Sequence, residues 1–167
     1  MKHPETYKTF TFSDPEQVAE RERELLTPIL YVRVHGPDTT LPLEAVVDTG
    51  ASRSFFSCAV METLGYAVSD LEASDILLGS GITKQYQPRD GNDVLVEIPS
   101  LNHSLRVIPT FLEGLESGIM LLGRSDFFEH FLITFDQRAS TFWLEPYEDP
   151  ASTSVSTASA ASDADSQ

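Results

Sequence analysis

The chain has 167 residues, a formal net charge of −15 and one cysteine, a length that suits one domain of ordinary size. That charge argues against nucleic acid, which needs a basic partner surface, and against anionic membranes. Cys58 alone rules out an intrachain disulfide and, with His3, His35, His103 and His130 in no metal-ligand spacing and no apolar run of membrane-spanning or signal-peptide type, makes the sequence read as a soluble, cytoplasmic protein with no metal and no cofactor.

Residues 1–27 read as a charged extension. Asp14-Pro15-Glu16 predicts a helix start, with proline at the first helical position and acids in the first turn. That helix runs to about Leu26, where Thr27-Pro28 stops it. From Ile29 the character changes. "ILYVRVH" and "LPLEAVVD" are strands joined through "GPDTT" as a hairpin, and "SFFS" continues the sheet. "CAVMETLGY" predicts a short helix with Cys58, Met61 and Leu64 on one face and Gly65 as its stop.

"SDILLGSGITKQYQP", "NDVLVEIPS" and "HSLRVIPTF" are short strand-like runs separated by Gly, Pro and Asn. "GIMLLG" is wholly apolar and reads as a buried strand. "RSDFFEHF" reads as two helical turns, and "LITFDQRASTFWLEP" as a last hairpin turning at Asp136–Ala139. Residues 148–167 are Ser, Ala, Thr and Asp with almost nothing to bury, the composition of a disordered tail. Many short strands with few helices predict an all-β domain over residues 28–147, a closed barrel or sandwich.

Three features carry chemistry. In "LEAVVDTGASRSFFS", residues 43–57, an apolar strand delivers Asp48 into Thr49-Gly50-Ala51-Ser52. "LGSGIT", residues 78–83, is a hairpin tip with two glycines. "IMLLGR", residues 119–124, is an apolar strand ending in Gly123. Each has an ordinary alternative: Asp48 as a turn-capping aspartate, Gly79–Gly81 as a plain hairpin turn, Ile119 and Leu121 as core.

In that order and after that strand, the three features resemble the retropepsin-like aspartic proteases, the single-lobed type, in its cellular and bacterial branch. The likeness covers about residues 29–146. It implies a closed β-barrel, acid-protease lobe with one or two short helices, active as a homodimer on a peptide or protein substrate.

The chemistry fits a single Asp-Thr-Gly per chain. Two carboxylates about 3 Å apart cannot both ionise easily and share one proton. The charged one acts as general base on a water, and the protonated one as general acid. Asp38-Thr39-Thr40 lacks the glycine, so the second carboxylate comes from a second copy across a twofold axis. The resemblance makes Asp48, Thr49 and Gly50 catalytic, with Thr49 bonding across the axis. It assigns Ala51, Ser52, Ile119 and Leu121 to the substrate cleft, and Gly79, Ser80, Gly81 and Ile82 to a flap that closes over it.

One departure stands out. Where viral members carry an aspartate four residues after the catalytic one, this chain has Ser52, while the arginine that would pair with it is present as Arg124. Asp126 or a backbone carbonyl is the substitute acceptor expected here. Two rival readings follow: a dimeric peptide-binding or assembly scaffold of the same fold that cleaves little, and a β-barrel binding module unrelated to proteases.

Overall fold

A computed structural model describes residues 3–6, 8–10, 25–115 and 117–147. In chain order the strands are β1 (His3–Thr6), β2 (Lys8–Phe10), β3 (Leu25–Thr27), β4 (Ile29–His35), β5 (Thr40–Val47), β6 (Phe55–Ser57) and β7 (Leu71–Leu78). They continue with β8 (Gly81–Pro88), β9 (Val94–Ile98), β10 (His103–Val107), β11 (Phe111–Leu112), β12 (Ile119–Leu122), β13 (Phe131–Asp136) and β14 (Thr141–Pro146).

Alternation builds the central sheet. In β4, Leu30, Val32 and Val34 are buried while Tyr31 and Arg33 face out; in β5, Leu43, Ala45 and Val47 are buried. The two strands pair antiparallel from Ile29↔Val46 to His35↔Thr40, as the hairpin reading expects. Nine strands follow the order β10-β9-β4-β5-β12-β6-β11-β8-β7. One main core, including Phe56, Phe111, Phe127, Phe131 and Phe142, lies beneath them.

The sheet is open, not the closed barrel expected from sequence. Among the described residues β7 pairs with β8 alone and β10 with β9 alone. Apolar residues of the two edges serve different clusters: Leu105 and Val107 of β10 belong to the main core and Ile76 and Leu78 of β7 pack against a separate one, while Glu72–Asp75, Ser104 and Arg106 are exposed.

The helices also come out shorter than expected. The segment after β6 makes one 3-10 turn, Cys58–Val60, then irregular turns to Gly65. Ser57 caps it, its Oγ accepting the Ala59 N–H at 3.2 Å, and Gly65 ends it at φ +97°, a conformation that favours glycine. Val60, Met61 and Leu64 are buried, and Cys58 is half-buried. The expected two turns at "RSDFFEHF" are a single π-helical turn, Arg124–Phe128.

The expected N-terminal helix lies outside the described residues except at its end, where Leu25–Thr27 is strand β3, paired with β2. The tail from 148 lies outside them too. β1 joins the last hairpin, giving a three-stranded sheet β1-β14-β13. That hairpin turns at Gln137–Ser140, with Asp136 Oδ1 accepting the Ala139 N–H at 2.9 Å.

His103, at the start of β10, packs edge-on against Phe131 with ring centroids 4.8 Å apart, and lies 6.0 Å from His130. Its Nε2 is buried without a hydrogen-bond partner among the described residues. Burial, and then His130, hold its pKa below the ordinary 6.5. The neutral ring is therefore the form that folding favours, and the unfolded chain binds the proton more readily. Stability contributed here is full above pH 6.5 and is lost as pH falls below it toward the lowered folded value. The urea midpoint is expected to drop between pH 7.5 and 5.5, and to drop less in His103→Phe, which keeps a ring and cannot titrate.

Candidate active site

β5 lies between β4 and β12, so Asp48 emerges from a strand bonded on both sides. Val47 N donates to Pro28 O at 2.8 Å, and Asp48 N to Leu122 O at 3.1 Å. β12 runs parallel to β5, with Leu122 opposite Val47, and antiparallel to β6, with Met120 opposite Phe56. The loop carrying Asp48 thus leaves one side of β12 and re-enters on the other.

Hydrogen bonds lock this loop to the segment that follows β12. Arg124 N donates to Ala51 O at 3.1 Å and Ser125 N to Ser52 O at 3.0 Å. Gly123 N donates to Ser54 Oγ at 3.1 Å, and Ser54 N to Asp126 Oδ2 at 2.6 Å. Gly123 is obligatory for a steric reason, because a Cβ there would overlap the Arg53 backbone. Asp126, the acceptor expected for Arg124, instead takes the Ser54 N–H; Arg124 is exposed and makes no ion pair among the described residues.

Ser54 is wholly buried, and nothing in its local sequence marks it. Ser54→Ala strands the buried Gly123 N–H, which costs about 1–3 kcal/mol. Urea unfolding of the two proteins checks this; equal midpoints would show the bond to be dispensable.

Asp48 is half-buried, and its Oδ1 accepts the Gly50 N–H at 2.8 Å. Its carbonyl accepts the Ala51 N–H at 3.3 Å. A turn-capping aspartate makes the same side-chain bond, so what points beyond a turn is the setting. Oδ2 accepts nothing from the described residues, and Thr49 and Gly50 beside it are exposed.

On one side of this loop sits a small apolar cluster separate from the main core. Ala51, Phe55 and Leu112 are buried in it, with Ile76, Leu78, Leu115 and Leu121 packed against them. It joins the Asp48 loop, β11, β12 and the β7–β8 hairpin. Two residues assigned from sequence, Ala51 and Leu121, meet there. Ile119 is buried but belongs to neither cluster. Ser52 is exposed and engages through its backbone.

The β7–β8 hairpin pairs Leu78 with Gly81, leaving Gly79-Ser80 as a two-residue loop. Gly81 adopts φ +126°, and a Cβ at Gly79 or Gly81 would meet nothing, so the tip stands free. Leu77 and Ile82 are cross-strand partners, 77% and 75% exposed. Since alternate residues face opposite ways, Ile82 lies on the face away from Ile76 and Leu78. The inner face of the hairpin is made by Ile76 and Leu78, which sequence reasoning did not single out because Ile76, Leu77 and Leu78 are all apolar and show no alternation.

Glu113 anchors the β8 arm of the hairpin at Thr83, Lys84 and Tyr86. Its carboxylate accepts the Tyr86 hydroxyl, its carbonyl accepts Thr83 Oγ1 at 3.2 Å, and its N–H donates to Lys84 O at 3.0 Å. Burial, and then Glu113, push the Cys58 thiol up, which disfavours the thiolate a nucleophile needs. Among the described residues no group of His, Cys, Asp and Glu is arranged to hold a metal ion, and no helix is long and apolar enough to cross a membrane.

No protein-family model and no curated protein matches the chain.

Proposed function

We propose that the protein is an aspartic endopeptidase of retropepsin-like fold that works as a homodimer, with Asp48 of each copy forming a shared-proton pair. The observation that carries this reading is the Asp48 loop. A carboxylate with one oxygen fixed by the Gly50 N–H and the other without a donor among the described residues sits at the end of a central strand, tied on the far side to Gly123–Asp126. An apolar wall lies against the loop, and a free-standing hairpin tip continues from it.

In this reading the charged Asp48 takes a proton from water, and its partner's acid protonates the departing amine. Substrate lies extended, paired through its main chain, with side chains in alternating pockets. The apolar cluster makes apolar residues the preferred neighbours of the cut bond. The dimer, the peptide substrate and a cytoplasmic setting belong to the same proposal.

The test compares wild type with Asp48→Ala on a complex mixture of unfolded peptides across acidic to neutral pH, with products read by mass spectrometry. Cuts made by wild type alone support the protease. A folded dimer that cuts nothing at any pH favours the peptide-binding scaffold.

A further inference from the structure

We propose that two copies of this chain join through the free edge of β13, whose backbone pairs antiparallel with the same strand of the partner about a twofold axis at Ile133. This names the contact between copies, and it rests on the reading above for the partner being a second copy. β13 has β14 on one side and, among the described residues, no strand on the other. His103 of β10 packs on the Phe131 ring at one end, but no described strand pairs with Ile133 or Phe135 from that side.

The phase of the ladder shows which backbone groups face out. Tyr147 N donates to His130 O at 3.0 Å, so His130, Leu132 and Thr134 turn their N–H and C=O toward β14. Phe131 lies opposite Pro146, which has no N–H to give, as that phase requires. Phe131, Ile133 and Phe135 therefore turn theirs outward.

An unpaired edge is a template for another strand, and proteins guard such edges with charge or proline. The other outer strands of the two larger sheets are guarded in this way: β7 by Glu72 and Asp75, β10 by Arg106, β1 by Pro4 and Glu5. β13 reads Phe-Leu-Ile-Thr-Phe-Asp, with no proline and no charge before its last residue, and Leu132 on it is 47% exposed. A chain with a net charge of −15 repels its own kind, so two copies meet best on an uncharged strip.

The strip is self-complementary. With the axis at Ile133, each outward-facing residue meets another: Ile133 meets its own counterpart, and Phe131 meets the partner's Phe135. Each pair exchanges both N–H···O bonds, the isologous contact of a twofold dimer. Ile133 and Phe135 are half-buried against the main core, and across the axis they carry one core into the next. On the other face Leu132 falls opposite the partner's Thr134. At each end Asp136, whose Oδ1 already accepts the Ala139 N–H, faces the partner's His130, an acceptor against an imidazole donor. Pairing through β7 would instead bring Glu72 and Asp75 of both copies together. β13 also follows directly on the turn Arg124–Phe128, whose first residues hold the Asp48 loop.

Sedimentation of the full chain gives the dimer dissociation constant, and oxidative cross-linking gives the register. Leu132→Lys puts a charge on an exposed position opposite Glu145 of β14. The circular dichroism spectrum is expected to hold while the dissociation constant rises at least about tenfold. Ser104→Lys, the same charge on the β10 edge, is expected to leave association unchanged. In a Cys58→Ala background, a mixture of Leu132→Cys and Thr134→Cys chains is expected to cross-link. Either chain alone should cross-link far less, since only the mixed pair is directly opposed. Cleavage of the peptide mixture is read on the same samples. A cross-linked dimer that cuts nothing leaves this interface standing and removes the protease. A chain monomeric at every concentration, association unchanged in Leu132→Lys, or no cross-link in the mixture would overturn the interface whether or not the protein cuts.

Discussion

Asp48→Asn is expected to lower peptide cleavage by at least about 10³-fold across the active pH range, the scale of losing general acid–base catalysis. The substitution keeps an oxygen able to accept the Gly50 N–H, so the loop and the thermal midpoint should survive it. Asparagine neither takes nor gives the proton, and that is the whole of the expected loss. A tethered dimer with one Asp48→Asn copy should be as inactive as one with two, because in the proposed mechanism the two carboxylates act as a unit. Asp38→Asn, in the β4–β5 turn, should leave the rate unchanged. A half-active tethered heterodimer would contradict the proposed shared-proton mechanism.

Gly123→Ala is expected to be the most damaging small substitution near the site. The new methyl would overlap the Arg53 backbone, and a peptide group cannot swing aside as a flexible side chain does. Either the Asp48 loop lifts away from the segment after β12, breaking the Arg124–Ala51 and Ser125–Ser52 bonds, or β12 shifts within the sheet. Overpacking of this kind costs about 3 kcal/mol. Urea unfolding should show that loss, and cleavage should disappear with it. Gly79→Ala is the matched control. Nothing lies within 4 Å of its added Cβ, and its φ lies outside the left-handed region. Its stability should change by less than about 0.5 kcal/mol. Equal effects of the two alanines would remove the steric account of Gly123.

What was legible in the sequence is what local pattern encodes. The alternation in "ILYVRVH" and "LPLEAVV" gave the β4–β5 hairpin, and Leu78-Gly79-Ser80-Gly81 gave the position of the β7–β8 turn. Asp48 followed by Thr-Gly-Ala-Ser marked the loop. "CAVMETLGY" misled because Met61 and Leu64 are buried as a helix would have them, while the segment makes one 3-10 turn and then irregular turns. Nothing local reports that β12 inserts between β5 and β6, since that depends on pairing residues such as Val47 and Leu122. Ser54 and the inner hairpin face became visible only through their partners. The open edges of the sheet depend on how β7 and β10 lie in space, which no short window records.

The insertion of β12 between β5 and β6 also governs when the loop can exist during synthesis. β5 and β6 each bond to β12 along the edge that faces it, and β12 is made long after them. Contacts of such sequence separation form slowly because the intervening chain must be closed first. A nascent chain that has not yet released Ile119–Asp126 from the ribosome has no backbone partner for Asp48 N, for Ala51 O or for Ser52 O. The Asp48 loop therefore acquires its fixed geometry only after Ile119–Asp126 have been made, and until then the growing polypeptide emerges with that loop unanchored.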